Sequence, residues 1–193
     1  MEVIVKKMTT IDDMHEAFES TVRGDTRVKC SLRNAYKWEH SPIRIQMFKI
    51  KMIDVPSFVS VHFVRHAAVG QQHYVMSNRE DRGGEGNTEV NRLSPVKHTM
   101  ILNAQHLIDM ARRRLCFQAS KETRSTMLMI KEEIRKVDPD LAHYMVPNCI
   151  YRGGTCSEPK PCGMYIVNSY NGEGDEMARY SRLHPELLPK RGE

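Results

Sequence analysis

Residues 43–52 alternate between apolar and polar side chains, with one apolar step at Met47-Phe48, and this alternation constrains the fold more than any other feature of the chain. A period of two is that of a β-strand with one face buried and the other in solvent. A weaker alternation at residues 3–7 predicts a second, short strand. Helices are predicted in four other segments, residues 11–18, 57–65, 103–116 and 120–137. This mixture predicts an α+β fold.

The ends of the predicted helices carry residues that are typical of helix ends. Thr10 is a candidate N-cap for the first helix, and Pro56 suits the first turn of the second. The sequence Asp-Pro-Asp at residues 138–140 ends the last long helix before a short one at residues 141–144. Residues 23–33 form a basic, polar stretch. Residues 79–91 are Gly-rich, charged and without a period, and the whole span of residues 79–103 is predicted to be a short polar loop.

The chain of 193 residues is long enough to bury a core without disulfides, and we expect one main domain at residues 1–145. Residues 146–193 hold most of the Gly, Pro and Cys and are predicted to form a C-terminal extension. Neither a secretory signal nor a membrane-spanning stretch of about 20 apolar residues is recognisable, so we expect a cytoplasmic protein. The net charge of +5 suits anionic ligands such as phosphates, and equally a weak attraction to nucleic acid.

Five cysteines, an odd number without an export signal, indicate reduced thiols rather than a disulfide framework. Cys149, Cys156 and Cys162, with His143 or Cys116 as a fourth ligand, could hold zinc, because structural zinc is usually tetrahedral with Cys and His ligands. Their spacings are not those of C-x-x-C pairs, so free buried thiols or a redox pair are the favoured interpretation. No metal site is assigned, and Cys116 is expected to be a core residue rather than a nucleophile.

Three short segments combine polar or cationic groups with an apolar frame, as binding sites for planar phosphorylated ligands do. They are residues 38–44, 62–66 and 103–124. Each alone has a structural explanation, namely a hydrogen bond at the entry to a strand, cations at a helix C-terminus, or a solvated face at residues 112–114. Their order and joint content are more informative than any one of them.

Six short motifs follow one another in a fixed order: Glu39-His40, His62-x-x-Arg65-His66-Ala67, Ser77-x-Arg79, Asn103-Ala104-Gln105, Arg114, and residues 119–124. This order resembles that of the flavin-dependent thymidylate synthases, over roughly residues 38–124. The resemblance implies an antiparallel sheet with flanking long helices. It also implies FAD-dependent C5 methylation of dUMP to dTMP, with methylenetetrahydrofolate as carbon donor and NADPH as reductant, in a homotetramer whose subunits share active sites.

The resemblance further implies roles for single residues. Arg114 would be catalytic, lying against the pyrimidine and stabilising its N3-deprotonated form, a task that suits the planar, permanently charged guanidinium. Asn103 lies eleven residues before Arg114, about three helical turns, so one helix face could reach both the flavin and the nucleotide. FAD would contact His40, Arg65, His66, Asn103, Ala104, Gln105 and Asp109. The nucleotide would contact His62, Arg65, Ser77, Arg79, Arg92 and Arg114.

The chain departs from the family pattern on the side of the nucleotide phosphate. Ala67 replaces an Arg of the family, and Ser77 and Arg79 align only after a gap. The segment that follows is shorter than in the family, so Arg92, and after it Lys97, are the candidates for a missing phosphate ligand. This shortening is compatible with a pyrimidine nucleotide hydroxymethylase that acts on dUMP or dCMP.

A function of another class is that of a basic nucleic-acid-binding protein with a Cys-rich tail. The net charge and the three arginines at residues 112–114 favour it. Only 7% of the residues are aromatic and no RNA-binding signature occurs, so this interpretation ranks below the enzyme. We therefore expect a nucleotide rather than a nucleic acid as the ligand.

Overall fold

The computed structural model describes residues 1–23, 30–66, 71–77, 81, 91–152 and 156–162. Within these ranges one sheet contains four antiparallel strands in the order β1-β2-β4-β3. The strands are β1 (Glu2–Lys7), β2 (Met47–Pro56), β3 (Gln72–Val75) and β4 (Pro95–Asn103). The predicted α+β class, with an antiparallel sheet and flanking helices, is confirmed.

Helices pack against this sheet and against one another. α5 contacts β1 and α6, while α3 and α4 each contact α5 and β4. No helix in the described ranges is long and apolar enough to cross a membrane. The helices are α1 (Ile11–Glu19), α2 (Leu32–Trp38), α3 (Ser57–Val64), α4 (Ala104–Arg114), α5 (Lys121–Val137), α6 (Pro139–Tyr144) and α7 (Asn148–Tyr151).

The four predicted long helices are present as α1, α3, α4 and α5. Thr10 caps α1 as predicted: its hydroxyl oxygen accepts the backbone N–H of Asp13, and its own backbone N–H donates to the Asp13 carboxylate. Asp138 ends α5 and caps α6. The ends of these helices are therefore set by local side-chain chemistry that is visible in the sequence.

The strongest predicted strand starts later than the sequence suggests. Ser41–Ile45 forms a 3₁₀ helix with Pro42 near its start, and β2 begins only at Met47. The fixed φ and missing N–H of a proline suit the first turn of a helix, which explains why the strand prediction fails at that end. Beyond Met47 the predicted alternation is correct, and its apolar members are fully buried: Phe48, Ile50 and Met52.

The predicted polar loop at residues 79–103 is wrong over its last part, where β4 forms. The inward face of β4 carries the buried His98 between apolar residues, and this histidine interrupts the apolar alternation that would have revealed the strand. α2, which begins at Leu32 behind a Ser31 N-cap after the basic, polar stretch, was also not predicted. β3 was not predicted from the sequence, because its residues are largely exposed.

Asp138 joins three parts of the fold. Lys7 of β1 donates to its Oδ2 at 2.6 Å, and the hydroxyl of Tyr36 in α2 donates to the same oxygen at 2.8 Å. Its Oδ1 accepts the backbone N–H of Leu141 in α6 at 2.9 Å. Burial, followed by the charge of Asp138, raises the pKa of Tyr36, so this hydroxyl remains a donor. One buried carboxylate thus fixes the sheet, α2 and α6 to one another.

A row of polar side chains crosses the core from α3 to the edge strand β3. Ser60 Oγ lies 3.0 Å from His98 Nδ1, and His98 Nε2 lies 3.0 Å from His73 Nδ1. His98 is fully buried in β4. Burial, with a smaller contribution from His73, lowers the pKa of His98 to about 4. The imidazole is therefore neutral at neutral pH.

This lowered pKa predicts a loss of stability in acid. Between pH 6.5 and about 4 the unfolded chain binds a proton at His98 that the folded chain does not, so the free energy of unfolding falls as the pH falls through this window. In His98→Gln, which keeps a donor and an acceptor, the slope of that free energy against pH should decrease by about one proton. Urea unfolding at several pH values measures the slope, and an unchanged slope in the variant would contradict the assignment.

Candidate active site

Three helix ends meet around Arg114. α3 ends with Arg65 as its C-cap, α4 ends at Arg114 itself, and α5 begins after its N-cap Ser120. The guanidinium Nη2 of Arg114 donates to the backbone carbonyl of His62, at 3.1 Å. Arg114 of α4 is thereby held against the last turn of α3, where the helix dipole favours a cation.

The ring of His62 is oriented by two hydroxyls. Ser120 donates to Thr123 Oγ1 at 2.8 Å, and Thr123 Oγ1 lies 2.8 Å from His62 Nδ1. Because the Thr123 oxygen accepts from Ser120, its own hydrogen can point at Nδ1. Burial, followed by the charges of Arg114, Arg65 and Arg92, lowers the pKa of His62. His62 is therefore neutral at neutral pH, and a ring hydrogen on Nε2 would complete this chain of hydrogen bonds.

His66 lies just beyond the end of α3, and its Nε2 is buried with no hydrogen-bond partner among the described residues. Burial, followed by the charges of Arg114 and Arg113, lowers its pKa to about 4, so it is neutral at neutral pH. The Nε of Arg114 is also buried without a partner in the described part of the chain. Buried polar atoms nearly always bond to something, so these two atoms mark where a bound molecule would supply partners.

Positive charge accumulates around these atoms. Burial, followed by the charges of Arg65 and Arg113, lowers the pKa of Arg114, and Arg92 acts on His62 in the same way. The ion pairs formed between described residues involve other cations, so none of these arginines is neutralised by a described carboxylate. We call Arg65, Arg92, Arg113 and Arg114 the arginine cluster. It is an attractive site for an anion.

Phe58 brings Arg92 to this cluster. The guanidinium carbon of Arg92 lies 4.8 Å from the centre of the Phe58 ring, and that ring meets the ring of His62 edge-on at 5.5 Å. The backbone N–H of Phe58 also donates to the carbonyl of Arg92, at 3.1 Å. Phe58 belongs to none of the short motifs in the sequence. Its position four residues before His62 nevertheless places both side chains on one face of α3.

A second polar cluster lies on another side of α4. Gln105 donates to Glu39 at 2.7 Å, and Arg112 pairs with Glu39 and, at 2.9 Å, with Asp109. The guanidinium carbon of Arg112 stacks 3.4 Å from the centre of the Tyr151 ring, and its side chain is only 14% exposed. The interpretation as a solvated face is therefore wrong for Arg112. Glu39 itself ends α2 with a left-handed φ of 51°. We call Glu39, Gln105, Asp109, Arg112 and Tyr151 the Glu39 cluster.

Asn103 and Ala104 lie where β4 passes into α4. Asn103 is the N-cap of α4, and its Oδ1 accepts the backbone N–H of His106 at 3.0 Å, which leaves the amide hydrogens for a ligand. Ala104 is fully buried and donates its N–H to the Gln46 carbonyl at 2.9 Å. His40 is exposed at the start of the 3₁₀ helix.

The predicted residues therefore divide into four groups. One is His40, Asn103 and Ala104, at the starts of the 3₁₀ helix and of α4. Contacts and charge interactions bring together five of them: His62, Arg65, His66, Arg92 and Arg114. Gln105 and Asp109 belong to the Glu39 cluster on the same helix. Ser77 is exposed beyond the end of β3, and Arg79 lies outside the described residues, so the alignment of these two remains a prediction.

Solved structures share this architecture. A structure of thymidylate synthase X from Helicobacter pylori with FAD and dUMP is 12% identical, covers 76% of this chain and 99% of its own, and has a TM-score of 0.60. A second complex of the same flavin-dependent enzyme with FAD and dUMP gives the same identity and TM-score over its whole length. The chain shares the fold of these enzymes. The UMP/dUMP methylase PolB from Streptomyces cacaoi, bound with 5-Br dUMP, is 11% identical, with a TM-score of 0.56 over 74% of this chain and 94% of its own.

The likeness lies in the fold and not in the overall sequence. No family model and no curated protein sequence matches the chain.

Proposed function

We propose that this protein is a flavin-dependent thymidylate synthase, which methylates C5 of dUMP with methylenetetrahydrofolate as the carbon donor and NADPH as the reductant. The observation that carries the proposal is the arginine cluster at the end of α3 and α4, which has no described carboxylate partner. The same fold occurs in thymidylate synthase X and in a UMP/dUMP methylase, which makes a uracil nucleotide the natural anion to consider.

The residues around Arg114 suit the two ends of such a nucleotide. Arg65 and Arg92 would bind the phosphate, because guanidinium groups form charge-assisted and often bidentate hydrogen bonds with phosphate oxygens. Arg114 is held by one nitrogen on the His62 carbonyl, and its buried Nε has no described partner. It would place a planar, charged donor against the pyrimidine and stabilise the ring as it loses its N3 proton.

The described residues also fit FAD, which once reduced would supply the hydride that brings the transferred carbon to the level of a methyl group. His66 offers a buried, unbonded Nε2 on a ring that stays neutral, and Asn103 keeps its amide hydrogens beyond the cap of α4. These are donors and acceptors suited to the polar edge of a flavin. Their role would be to orient the cofactor over the pyrimidine and to exclude water from the reacting atoms.

A homotetramer with shared sites is part of the proposal. The arginine cluster and the Glu39 cluster occupy separate sides of α4 in one chain. A second copy of the chain would complete the walls of a pocket over the arginine cluster. The anionic ligand bound in that pocket would relieve the charge repulsion between the arginines of the cluster.

The test of this function uses a matched pair of ligands. Purified protein with FAD should show a flavin absorption band that dUMP perturbs and NADPH bleaches. Deoxyuridine, which lacks only the phosphate, should bind at least about 100-fold more weakly, because it makes no charge-assisted contact with the arginine cluster. Arg92→Ala should reduce this preference, whereas Arg135→Ala, an exposed arginine paired with Glu132, should leave it unchanged.

Product analysis by mass spectrometry then decides the reaction. With dUMP and dCMP offered in parallel, together with methylenetetrahydrofolate and NADPH, dTMP should be the only nucleotide product. A hydroxymethylated product, or a preference for dCMP, would replace the proposal with a pyrimidine nucleotide hydroxymethylase. Protein that binds no flavin but retards nucleic acid would replace it with the binding-protein alternative.

A further inference from the structure

Four of the five cysteines of the chain line one small cavity beyond the end of α4. Cys116 follows α4, Cys149 lies in α7, and Cys156 and Cys162 stand at the two ends of an irregular segment. These positions are far apart in the sequence, so their convergence is a property of the fold. The fifth, Cys30, lies elsewhere, beside α1 and α2, and packs against the core.

The cavity has the size of a single small group. Its volume is about 20 Å³, which is enough for one water-sized occupant. Phe117 and Pro147 contribute apolar walls, and no lysine, arginine or histidine is among the described residues that line it. His143, the alternative fourth ligand suggested by the sequence, is not in this lining, and its ring lies against Arg33 and Tyr144 instead. Cys116 is half-buried at the cavity wall and not part of the core.

The four thiols are free. They line the same cavity, and Glu158 is the one charged side chain among the described residues of that lining. An apolar cavity surrounded by four thiols has no internal compensation for a thiolate, whereas a divalent cation stabilises thiolates directly.

Zinc fits this donor set better than other common metals. Four sulfur ligands in a closed, tetrahedral arrangement are characteristic of structural zinc, and calcium or magnesium require oxygen ligands. As the described residues stand, no group of three or more His, Cys, Asp or Glu side chains is placed to hold a metal ion, so zinc binding requires the four sulfur atoms to move closer together. Cys156 and Cys162 belong to a segment without helix or strand, which can adjust without breaking a ladder of backbone hydrogen bonds.

We propose that Cys116, Cys149, Cys156 and Cys162 bind one zinc ion that fastens the C-terminal segment to the end of α4. The ion replaces the protons of the thiols, which are released to solvent, and no oxidant is required. Two contacts already run along the same path. Gln118 donates to the carbonyl of Lys160 at 2.5 Å, and Tyr151 of α7 stacks on Arg112 of α4.

The experiment measures metal content and stability in the full chain. Protein made in zinc-containing medium and purified without chelator should hold about one zinc ion per chain by native mass spectrometry. Cys149→Ser and Cys162→Ser should each lose the ion, whereas Cys30→Ser, the matched control outside the cavity, should keep it. Removing zinc with a chelator should lower the Tm of the wild-type chain and of Cys30→Ser, but not that of Cys162→Ser.

A second measurement covers variants that fail to fold. Wild-type protein stripped of zinc and titrated with Co²⁺ should develop the strong visible bands of a tetrahedral cobalt thiolate centre. Weak bands of an octahedral aquo ion would overturn the proposal. So would zinc that persists in Cys162→Ser, an absence of zinc in protein whose thiols are all reactive, or the mass of a disulfide between any two of these four cysteines.

Discussion

Arg114→Ala is expected to reduce the formation of dTMP at least about 100- to 1000-fold, which is the usual cost of removing one donor that stabilises developing negative charge. The guanidinium is held by the His62 carbonyl and lies near other arginines. Alanine supplies no donor in its place. The measurement is the rate of dTMP formation at saturating dUMP, with the flavin content of each preparation determined in parallel.

Two further variants separate the charge of Arg114 from its shape and its location. Arg114→Lys keeps the charge but loses the planar fork, and it should remain severely impaired. Arg135→Ala, an exposed arginine of α5 that pairs with Glu132 outside the arginine cluster, should retain the activity of the wild-type chain. Turnover in Arg114→Ala comparable to that of Arg135→Ala would remove Arg114 from the catalytic role.

Asp138→Ala is expected to destabilise the fold by about 3 kcal/mol or more, the range found when one partner of a buried charged pair is removed. Three donors lose their acceptor at once: Lys7, Tyr36 and the backbone N–H of Leu141. Chemical unfolding of wild-type and variant protein gives the difference directly. A loss below about 1 kcal/mol would mean that solvent or a rearrangement satisfies these donors.

Matched variants show whether burial is the cause. Tyr36→Phe removes one hydrogen bond to Asp138 and should cost about 1 to 2 kcal/mol. Glu132→Ala removes a carboxylate from the exposed pair with Arg135 and should change the free energy of unfolding by less than about 0.5 kcal/mol. Comparing the loss in Asp138→Ala with that in Glu132→Ala measures how much the burial of Asp138 contributes to the free energy of unfolding.

Local chemistry made the helices predictable from the sequence, whereas β4 was not. Thr10 and the residues around Asp138 announce helix ends by their side chains alone. β4 owes its place to partners on both sides, and its buried His98 is compensated by Ser60 and His73, which are distant in the sequence. In the sequence His98 is only a polar residue that argues against a buried strand, because the partners that make its burial possible come close to it only in the fold.

The same distinction applies to the candidate site. His62, Arg65, His66 and Arg114 could be selected from short motifs, and the fold gathers them at three helix ends. The ion pair between Glu39 and Arg112 could not be selected, since it joins residues 73 positions apart. Arg112 and Arg114, two positions apart in α4, therefore have different surroundings: Arg112 pairs with carboxylates and Arg114 bonds to a backbone carbonyl. A run of like charges in a sequence conceals this difference.

The contact between Arg114 and His62 uses a main-chain oxygen, and this has an evolutionary consequence. A carbonyl is offered by every amino acid, so the grip on Arg114 does not depend on which side chain occupies position 62. The side chain at position 62 can then be exchanged without displacing the arginine. Selection could in this way change what that side chain contacts while the guanidinium of Arg114 stays where it is.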